Sequence, residues 1–337
     1  MRVIMKQIGI TTTIPSEVLI AAGYKVIDMN NLFIASSDYL KYIDLAEKEG
    51  FPKNTCAWIK GLYGACLKND IKELVGVVGG DCSNTLALAE VLKSRGIKIF
   101  PFSYPYSHSL SDVKHSISTF IDTFGVTEGE VENTRNRLNE VRRLARRIDE
   151  LTYLDNKASG FENHLYQVTL SDFDGSISGC ESMLKAKVSE IEQRTPRAGE
   201  IRLGYMGVPP MTCDLYEYVE NFGARVVYNE VQREFAFPRA EAAKNIYEQY
   251  HDYTYPYDIH FRLEEIKKQI TIRKLDAILH YTQAFCHRGI EDILVKQELK
   301  IPILTIEGDK QNTLDSRTKL RLEAFLDMLS DQKGANA

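Results

Sequence analysis

Residues 74–102 of this chain read LVGVVGGDCSNTLALAEVLKSRGIKIFPF, and this stretch decides the fold class. It begins with a short apolar run, Leu74 to Gly79, and ends with a second one, Lys98 to Phe102. Between them, Thr85 to Ser94 has the pattern of a helix and stops before Gly96, a residue that commonly terminates helices. A strand, a helix and a second strand in this order predict two parallel strands joined by a helical crossover.

The same alternation extends over most of the chain. Strand-like runs occur in two sets of four, and most are continuous apolar runs, as in strands buried on both faces of a parallel sheet. The runs are residues 7–11, 25–29, 74–79 and 98–102 in the first set, and 200–206, 225–229, 277–281 and 301–306 in the second. This pattern predicts an α/β protein with two doubly wound, Rossmann-like domains, each built on a short parallel sheet.

A helical region separates the two sets of strands. Thr127 to Glu130 has the spacing of a capping box, and apolar residues then recur every three or four positions, which predicts a long helix with one buried stripe. We therefore expect a first α/β domain at 1–125, a helical linker region at 126–192, and a second α/β domain with a C-terminal helix at 193–337.

The predicted long helix carries a run of basic residues. The arginines at 142, 143, 146 and 147 could form an anion or partner site, or a solvated helix face. We interpret the run as a solvated face, because Glu140, Asp149 and Glu150 are close enough along the helix to pair with it.

Composition and charge narrow the class of function. The chain has 337 residues, 44% of them hydrophobic, and a net charge of −5, values that are ordinary for a globular protein. Nucleic-acid-binding proteins need a basic face, and no apolar stretch approaches the roughly 20 residues that cross a bilayer. The start of the chain also lacks a signal-peptide pattern, so we predict a cytoplasmic protein that binds neither nucleic acid nor membranes.

Six cysteines are the most informative residues of the sequence. A reducing cytoplasm disfavours disulfides, so these thiols are buried small side chains, reactive groups or metal ligands. We predict that five of the six lie in loops or helix starts at the carboxyl edge of the two sheets, where α/β proteins form their sites. Their long spacing lacks the close pairs of a structural zinc site, which favours an iron–sulfur cluster held by several loops. The cysteines are Cys56, Cys66, Cys82, Cys180, Cys213 and Cys286.

Other residues near the cysteines are candidates for supporting roles. Glycines can bring backbone N–H groups close to cluster sulfur. The candidates for this role are Gly64, Gly79, Gly80 and Gly207. The candidate catalytic residues, on the substrate side or beside the cluster, are Lys60, His287 and Arg288. The chain has no G-x-x-x-x-G-K-[ST] motif and no G-x-G-x-x-G after its first strand, so we predict that it binds no nucleotide itself.

Several segments together carry a family resemblance. They are Ile10-Thr-Thr-Thr-Ile-Pro-Ser-Glu-Val-Leu-Ile-Ala-Ala-Gly-Tyr, Cys56-Ala-Trp-Ile-Lys, Gly79-Gly-Asp-Cys-Ser-Asn, Gln283-Ala-Phe-Cys-His-Arg, Ile303-Leu-Thr-Ile-Glu-Gly-Asp and Leu320-Arg-Leu-Glu-Ala-Phe-Leu-Asp-Met-Leu. The chain resembles the 2-hydroxyacyl-CoA dehydratase component D family over nearly its whole length. The resemblance implies a cubane 4Fe-4S cluster held by three cysteines per subunit, which correspond here to Cys56, Cys82 and Cys286. It also implies a separate ATP-hydrolysing 4Fe-4S activator that delivers a low-potential electron.

One branch of that family, the double-cubane cluster proteins, is more similar still. Its 8Fe-9S cluster has six cysteine ligands, and this chain has six cysteines with the pattern Cys56-x9-Cys66 followed by Cys82. The resemblance to this branch implies a second cubane on Cys66, Cys180 and Cys213, although these three could instead be core residues.

The resemblance leaves three functions open. The first, implied by the resemblance to the double-cubane branch, is a reductase component that takes electrons from the activator and reduces a small molecule. The second is a 2-hydroxyacyl-CoA dehydratase subunit with a single 4Fe-4S cluster, and the third is a non-catalytic electron-transfer protein. A homodimer is also implied.

Overall fold

The structure, a computed structural model, describes residues 6–335 and contains two four-stranded sheets whose strands are all parallel. The strands are β1 (Lys6–Ile10), β2 (Tyr24–Asp28), β3 (Glu73–Gly79), β4 (Lys98–Ser103), β5 (Ile201–Met206), β6 (Ala224–Asn229), β7 (Ala277–Gln283) and β8 (Ile303–Gly308). Their spatial orders are β2-β1-β3-β4 and β6-β5-β7-β8. The predicted α/β fold is confirmed, and every predicted strand begins and ends within two residues of an observed one.

Helices follow the strands along the chain. The helices are α1 (Ser16–Ala21), α2 (Met29–Ile34), α3 (Tyr39–Lys48), α4 (Ala57–Lys68), α5 (Asn84–Ser94), α6 (Leu110–Phe124), α7 (Glu128–Tyr153), α8 (Gly160–Val168), α9 (Ile177–Glu192), α10 (Leu215–Asn221), α11 (Glu230–Glu234), α12 (Ile246–His251), α13 (Ile259–Arg273), α14 (Asp292–Glu298) and α15 (Ser316–Ala335). Short 3₁₀ turns span Thr169–Ser171, Phe173–Gly175 and His287–Glu291. In the part of the chain that the structure describes, no helix combines the length and the apolar character needed to cross a membrane.

Both sheets reverse their winding direction around their first strand. The chain leaves β1 for β2 on one side and later returns to β3 on the other, and β5 stands in the same way between β6 and β7. In open α/β sheets, ligands bind at this switch point, beyond the carboxyl ends of the two central strands. The segments after β1, β3, β5 and β7 are therefore the places to look for a site.

The described residues form two compact units, each made of several chain segments. The first runs up to Arg143 and adds residues 168–183 and 235–258, while the second comprises 144–167, 184–234 and the chain from Ile259 onward. Each unit contains one of the sheets. The consecutive boundaries at residues 125 and 192 stay a prediction about domain organisation.

Helices cover both faces of the second sheet, as expected of a doubly wound fold. One core cluster joins strand residues to the C-terminal helix, namely Leu203, Tyr205, Val226 and Leu279 with Leu322, Leu326 and Leu329. The other cluster joins Met206, Val227 and Ile278 to Ile259, Leu263, Ile266 and Val295. The strand ends are thereby fixed by apolar packing on two sides.

The long helix α7 begins as the sequence predicts. The Glu130 carboxylate accepts the Thr127 N–H at 2.8 Å, and the Glu130 N–H lies 3.3 Å from the Thr127 hydroxyl, which completes the capping box. The predicted stripe is buried at Leu138, Val141, Ile148 and Leu151, and partly buried at Leu144.

The arginine run of α7 corrects one expectation. Arg142 is 1% exposed, and its Nη1 donates to Glu17 Oε1 at 2.7 Å, inside the first unit. Arg143 and Arg147 do reach the surface. The interpretation as a solvated face is therefore wrong for Arg142, because its partner comes from α1, more than a hundred residues away, and a local pattern cannot show that.

Candidate metal centre

Three cysteines lie in the segments that follow central strands. Cys82 comes three residues after the end of β3, and Cys286 comes three residues after the end of β7. Cys213 lies in the longer segment between β5 and α10. Cys82 and Cys286 are partly exposed and Cys213 is exposed, so these thiols are placed where a ligand can approach.

The backbone around Cys286 forms a tight turn. The Cys286 N–H donates to the Gln283 carbonyl at 3.0 Å, and the Gly289 N–H donates to the Cys286 carbonyl at 3.1 Å. Phe285, the residue between, has a φ of +62°, a left-handed conformation that is uncommon for a bulky side chain. Such strained residues cluster at functional sites, which supports a role for this turn.

Cys56 stands at the start of a helix, as predicted. It is the N-cap residue of α4 and is buried, and its carbonyl accepts the Lys60 N–H at 3.2 Å. The first-turn N–H groups of a helix have no partner within the helix and carry a partial positive charge. A thiolate at this position is therefore next to groups that stabilise its negative charge.

Cys66 corrects the expectation that five cysteines lie in loops or helix starts. It lies in the last turns of α4, 1% exposed, and its carbonyl accepts the Ile71 N–H at 3.1 Å, just before β3 begins. Cys66 comes ten positions after Cys56, and nine helical residues lie between them, which corresponds to about 15 Å along the axis. Cys66 and Cys82 thus stand at opposite ends of β3, a strand of seven residues that is about 20 Å long.

Cys180 also lies within a helix, in the first turn of α9. Burial raises the pKa of the Cys180 thiol to about 12, with a further contribution from Asp174 and Asp172. Burial alone raises the pKa of the Cys66 thiol to about 12. Since the thiolate is the form that binds metal, the protein surroundings of these two cysteines favour the neutral thiol.

Thiolates are the ligands that iron–sulfur clusters use, and the six cysteines are divided between the two units. All six cysteines lie in the described part of the chain, and no disulfide joins any of them. Among residues 6–335, no three His, Cys, Asp or Glu side chains lie close enough together to hold a single metal ion. Cys56, Cys66, Cys82 and Cys180 belong to the first unit, and Cys213 and Cys286 belong to the second.

The predicted glycines of the first unit have two different roles. Gly64 lies inside α4, where a Cβ atom would come within 2.3 Å of the Tyr42 carbonyl oxygen, so it allows α3 and α4 to pack closely. Its backbone N–H lies in the interior of a helix, where N–H groups are used by the helix itself. Gly79 and Gly80 lead from β3 to Cys82, and Gly80 has a φ of +87° that favours glycine.

Gly207 occupies the corresponding position after β5. Its φ is +104°, and a Cβ atom there would come within 2.1 Å of the Tyr281 carbonyl oxygen. Its N–H donates to Glu230 Oε2 at 3.1 Å. The position therefore requires glycine, and its N–H group already binds a carboxylate of the protein.

The three predicted catalytic residues have different surroundings. Lys60 is buried in α4, and its Nζ lies 2.7 Å from Glu47 Oε1 and 3.1 Å from the Lys53 carbonyl. His287 is exposed in the turn after Cys286. Arg288 is partly buried, with its Nη1 3.4 Å from Glu291. Lys60 is thus held by a structural ion pair, while His287 and Arg288 stand beside Cys286.

A buried ion-pair network that the sequence did not reveal supports this region of the second unit. Arg262 is 2% exposed and binds both oxygens of Glu230, at 2.9 and 3.1 Å, and Glu291 at 2.9 Å. Glu230 in turn accepts the Gly207 N–H, and Glu291 binds Arg288. Despite its burial, the pKa of Glu230 is lowered, chiefly by the charge of Arg262. The network connects the segment after β5 with the turn that follows Cys286.

Comparison with known proteins identifies a family. The family model described as "2-hydroxyglutaryl-CoA dehydratase, D-component" matches residues 11–329, which is nearly the whole chain and includes all six cysteines. A comparison with curated proteins finds no match. The match confirms the family resemblance of the sequence motifs.

Proposed function

Since the chain belongs to the family of the 2-hydroxyglutaryl-CoA dehydratase D-component, we propose that it is an iron–sulfur subunit of a dehydratase that acts on a 2-hydroxyacyl thioester. In this proposal, the thiolates of Cys56, Cys82 and Cys286 hold one 4Fe-4S cluster. The observation that carries the choice is the placement of Cys66 inside α4, at the other end of β3 from Cys82.

The three proposed ligands share features that suit cluster binding. Each stands in a loop or at a helix start, and Cys82 and Cys286 follow central strands of their sheets. If bound by these three thiolates, a 4Fe-4S cluster would supply one-electron redox chemistry. The N–H groups at the start of α4 stabilise negative charge at Cys56, and Arg288 places a positive charge two residues from Cys286.

The electron comes, in this proposal, from a separate ATP-hydrolysing 4Fe-4S activator. Membership of the D-component family implies an activator partner in general. The chain also lacks the phosphate-loop motif through which many proteins bind ATP. We further propose that the chain acts as part of a dimer, and that His287 lies on the substrate side of the cluster.

A second candidate is the reductase with an 8Fe-9S double-cubane cluster. The six cysteines and the spacing Cys56-x9-Cys66 favour it. Cys66, Cys180 and Cys213 would then bind the second cubane. This arrangement requires Cys66 to act as a ligand from the buried end of α4, which is why we rank it second.

Iron and acid-labile sulfide per chain, measured on anaerobically purified protein, test the proposal. We expect about four of each in the wild type. The variants Cys56→Ser, Cys82→Ser and Cys286→Ser should lose at least half of the iron, because each removes a ligand. Cys66→Ala is the matched control and should keep its full iron content, since it only replaces a buried side chain of similar size.

Other results would redirect the assignment. About eight irons with slightly more sulfide, or loss of iron in Cys66→Ala, would establish the double cubane in place of the single one. Zinc without sulfide would exclude both clusters. With the activator and ATP present, dehydration of a 2-hydroxyacyl thioester would exclude the third alternative, a protein that only transfers electrons.

A further inference from the structure

Gln283, the last residue of β7, has a buried amide with one unsatisfied end. The side chain is 3% exposed, and its Oε1 accepts the Tyr281 hydroxyl at 3.0 Å. Its Nε2 has no hydrogen-bond partner among the described residues. Turning the amide over would leave Oε1 in the same place instead, so one polar end lacks a partner in either orientation. Buried polar groups of this kind are rare in native proteins and call for an explanation.

Thr212, in the segment after β5, has the same property. Thr212 is 8% exposed, and its Oγ1 atom is buried with no hydrogen-bond partner in the described part of the chain. The N–H of Met211, its neighbour, donates to the Tyr281 hydroxyl at 3.4 Å. One phenol oxygen thus binds both the Gln283 amide and the backbone next to Thr212.

These two groups stand at the switch point of the second sheet. Thr212 follows β5 and Gln283 ends β7, and these adjacent parallel strands are the pair around which the winding reverses. Other buried polar atoms without partners occur among the described residues. At this switch point, where α/β sheets bind ligands, the Tyr281 hydroxyl binds both the Gln283 amide and the backbone N–H beside Thr212. Thr212 directly precedes Cys213, and Gln283 is three residues before Cys286.

The chemistry of the pair defines what it can bind. An amide N–H and a hydroxyl O–H are both hydrogen-bond donors, so they fit an acceptor oxygen. Both groups are neutral, which suits a carbonyl oxygen and does not require a charged ligand. We propose that Gln283 and Thr212 form a subsite that binds the carbonyl oxygen of an acyl thioester, or a carboxylate oxygen, in the second unit.

The choice of a thioester rests on the proposed function, so the test uses a saturated thioester that cannot lose water. Dissociation constants of butyryl-CoA, CoA and butyrate are measured by calorimetry on the anaerobically purified full chain. Thr212→Val and Gln283→Met should each weaken binding of butyryl-CoA about fivefold or more, because each removes one donor. In these two variants, the dissociation constant of CoA alone should not change. The control variant Gln167→Met should bind all three probes as the wild type does. That control removes another buried glutamine whose amide oxygen has no partner.

A second measurement separates binding from folding. Without a probe, Thr212→Val should melt at the same temperature as the wild type or higher, because it removes an unpaired buried hydroxyl and keeps the shape. If both variants instead lose affinity for butyrate, the subsite would also be supported, and its ligand would be a free carboxylate. Equal affinity of wild type and variants for every probe would overturn the inference, as would a wild type that binds none of them. The iron count decides the proposed function independently of these results.

Discussion

A buried carboxyl group, Asp28, and a partly buried one, Asp172, interact at the end of β2. Asp172 Oδ2 accepts the Asp28 N–H at 2.8 Å, and burial together with the charge of Asp28 raises the pKa of Asp172 to about 7. Burial raises the pKa of Asp28 as well. A carboxyl group with a higher pKa in the folded state stabilises the protein most at low pH, and this contribution is lost as the pH rises from 3.8 to about 7.

The variant Asp28→Asn tests this pair. Asparagine can keep the bond to the Asn30 N–H and removes the charge that opposes Asp172, so we expect the free energy of unfolding at pH 8 to rise by roughly 1–3 kcal/mol. Urea unfolding at pH 5 and pH 8 measures the free energy of unfolding. The difference between its values at the two pH values should be smaller in the variant than in the wild type. Asp44→Asn, on the exposed face of α3, is the control and should change little. A variant that is less stable than the wild type at pH 8 would show that the carboxylates are not repelling each other.

Single residues also show what a sequence can and cannot reveal about a site. Cys82 and Cys286 were predicted correctly as loop residues, because short apolar runs mark the ends of β3 and β7. Thr212 and Gln283 were not predicted as site residues, since a missing hydrogen-bond partner is a property of the folded chain. Arg262 was missed for the same reason, because its carboxylate partners are 29 and 32 residues away.

Among the elements, α4 departs most from the sequence-based expectation. Its segment contains two glycines, and Cys66 was expected in a loop or at a helix start. The helix nevertheless continues past Cys66 to Lys68. The reason is tertiary, because Gly61 and Gly64 leave room for Phe33 and for the backbone of α3 at Tyr42. The strands were predictable from local apolar runs, whereas this helix depends on what packs against it.

Gly64→Ala tests the close packing of α3 and α4. The added methyl group would lie 2.3 Å from the Tyr42 carbonyl oxygen, and backbone atoms cannot yield cheaply, so we expect a loss of about 1–3 kcal/mol in urea unfolding. Gly129→Ala in the first turn of α7 is the matched control, because no atom lies within 4 Å of its new methyl group. This control should gain up to ~1 kcal/mol from helix propensity. Equal losses in both variants would mean that the close approach is not the cause.

At the scale of the whole molecule, the compact units are not consecutive stretches of chain. The second unit includes residues 144–167, and these supply partners for arginines that are buried in it. Arg273 Nη1 lies 2.8 Å from Asp149 Oδ1, and Arg225 Nη1 donates to the carbonyls of Thr152 and Ala158 at 2.7 and 2.9 Å. A boundary at residue 192, as the sequence suggested, would remove all three partners.

Two fragments therefore test where the second unit begins. The fragment 193–337 lacks Asp149, a carboxylate partner of the buried Arg273, and two carbonyl groups that accept from the buried Arg225. Removing the partner of a buried charge costs about 3–5 kcal/mol, so we expect no cooperative unfolding transition by circular dichroism. The fragment 144–337 restores these partners and should regain the transition. In the full chain, Asp149→Asn should destabilise by a similar few kcal/mol, while Glu150→Gln, at an exposed neighbouring position, should have little effect. Cooperative unfolding of 193–337 would place the boundary at residue 192 after all, and would make 144–167 a linker rather than part of the folded unit.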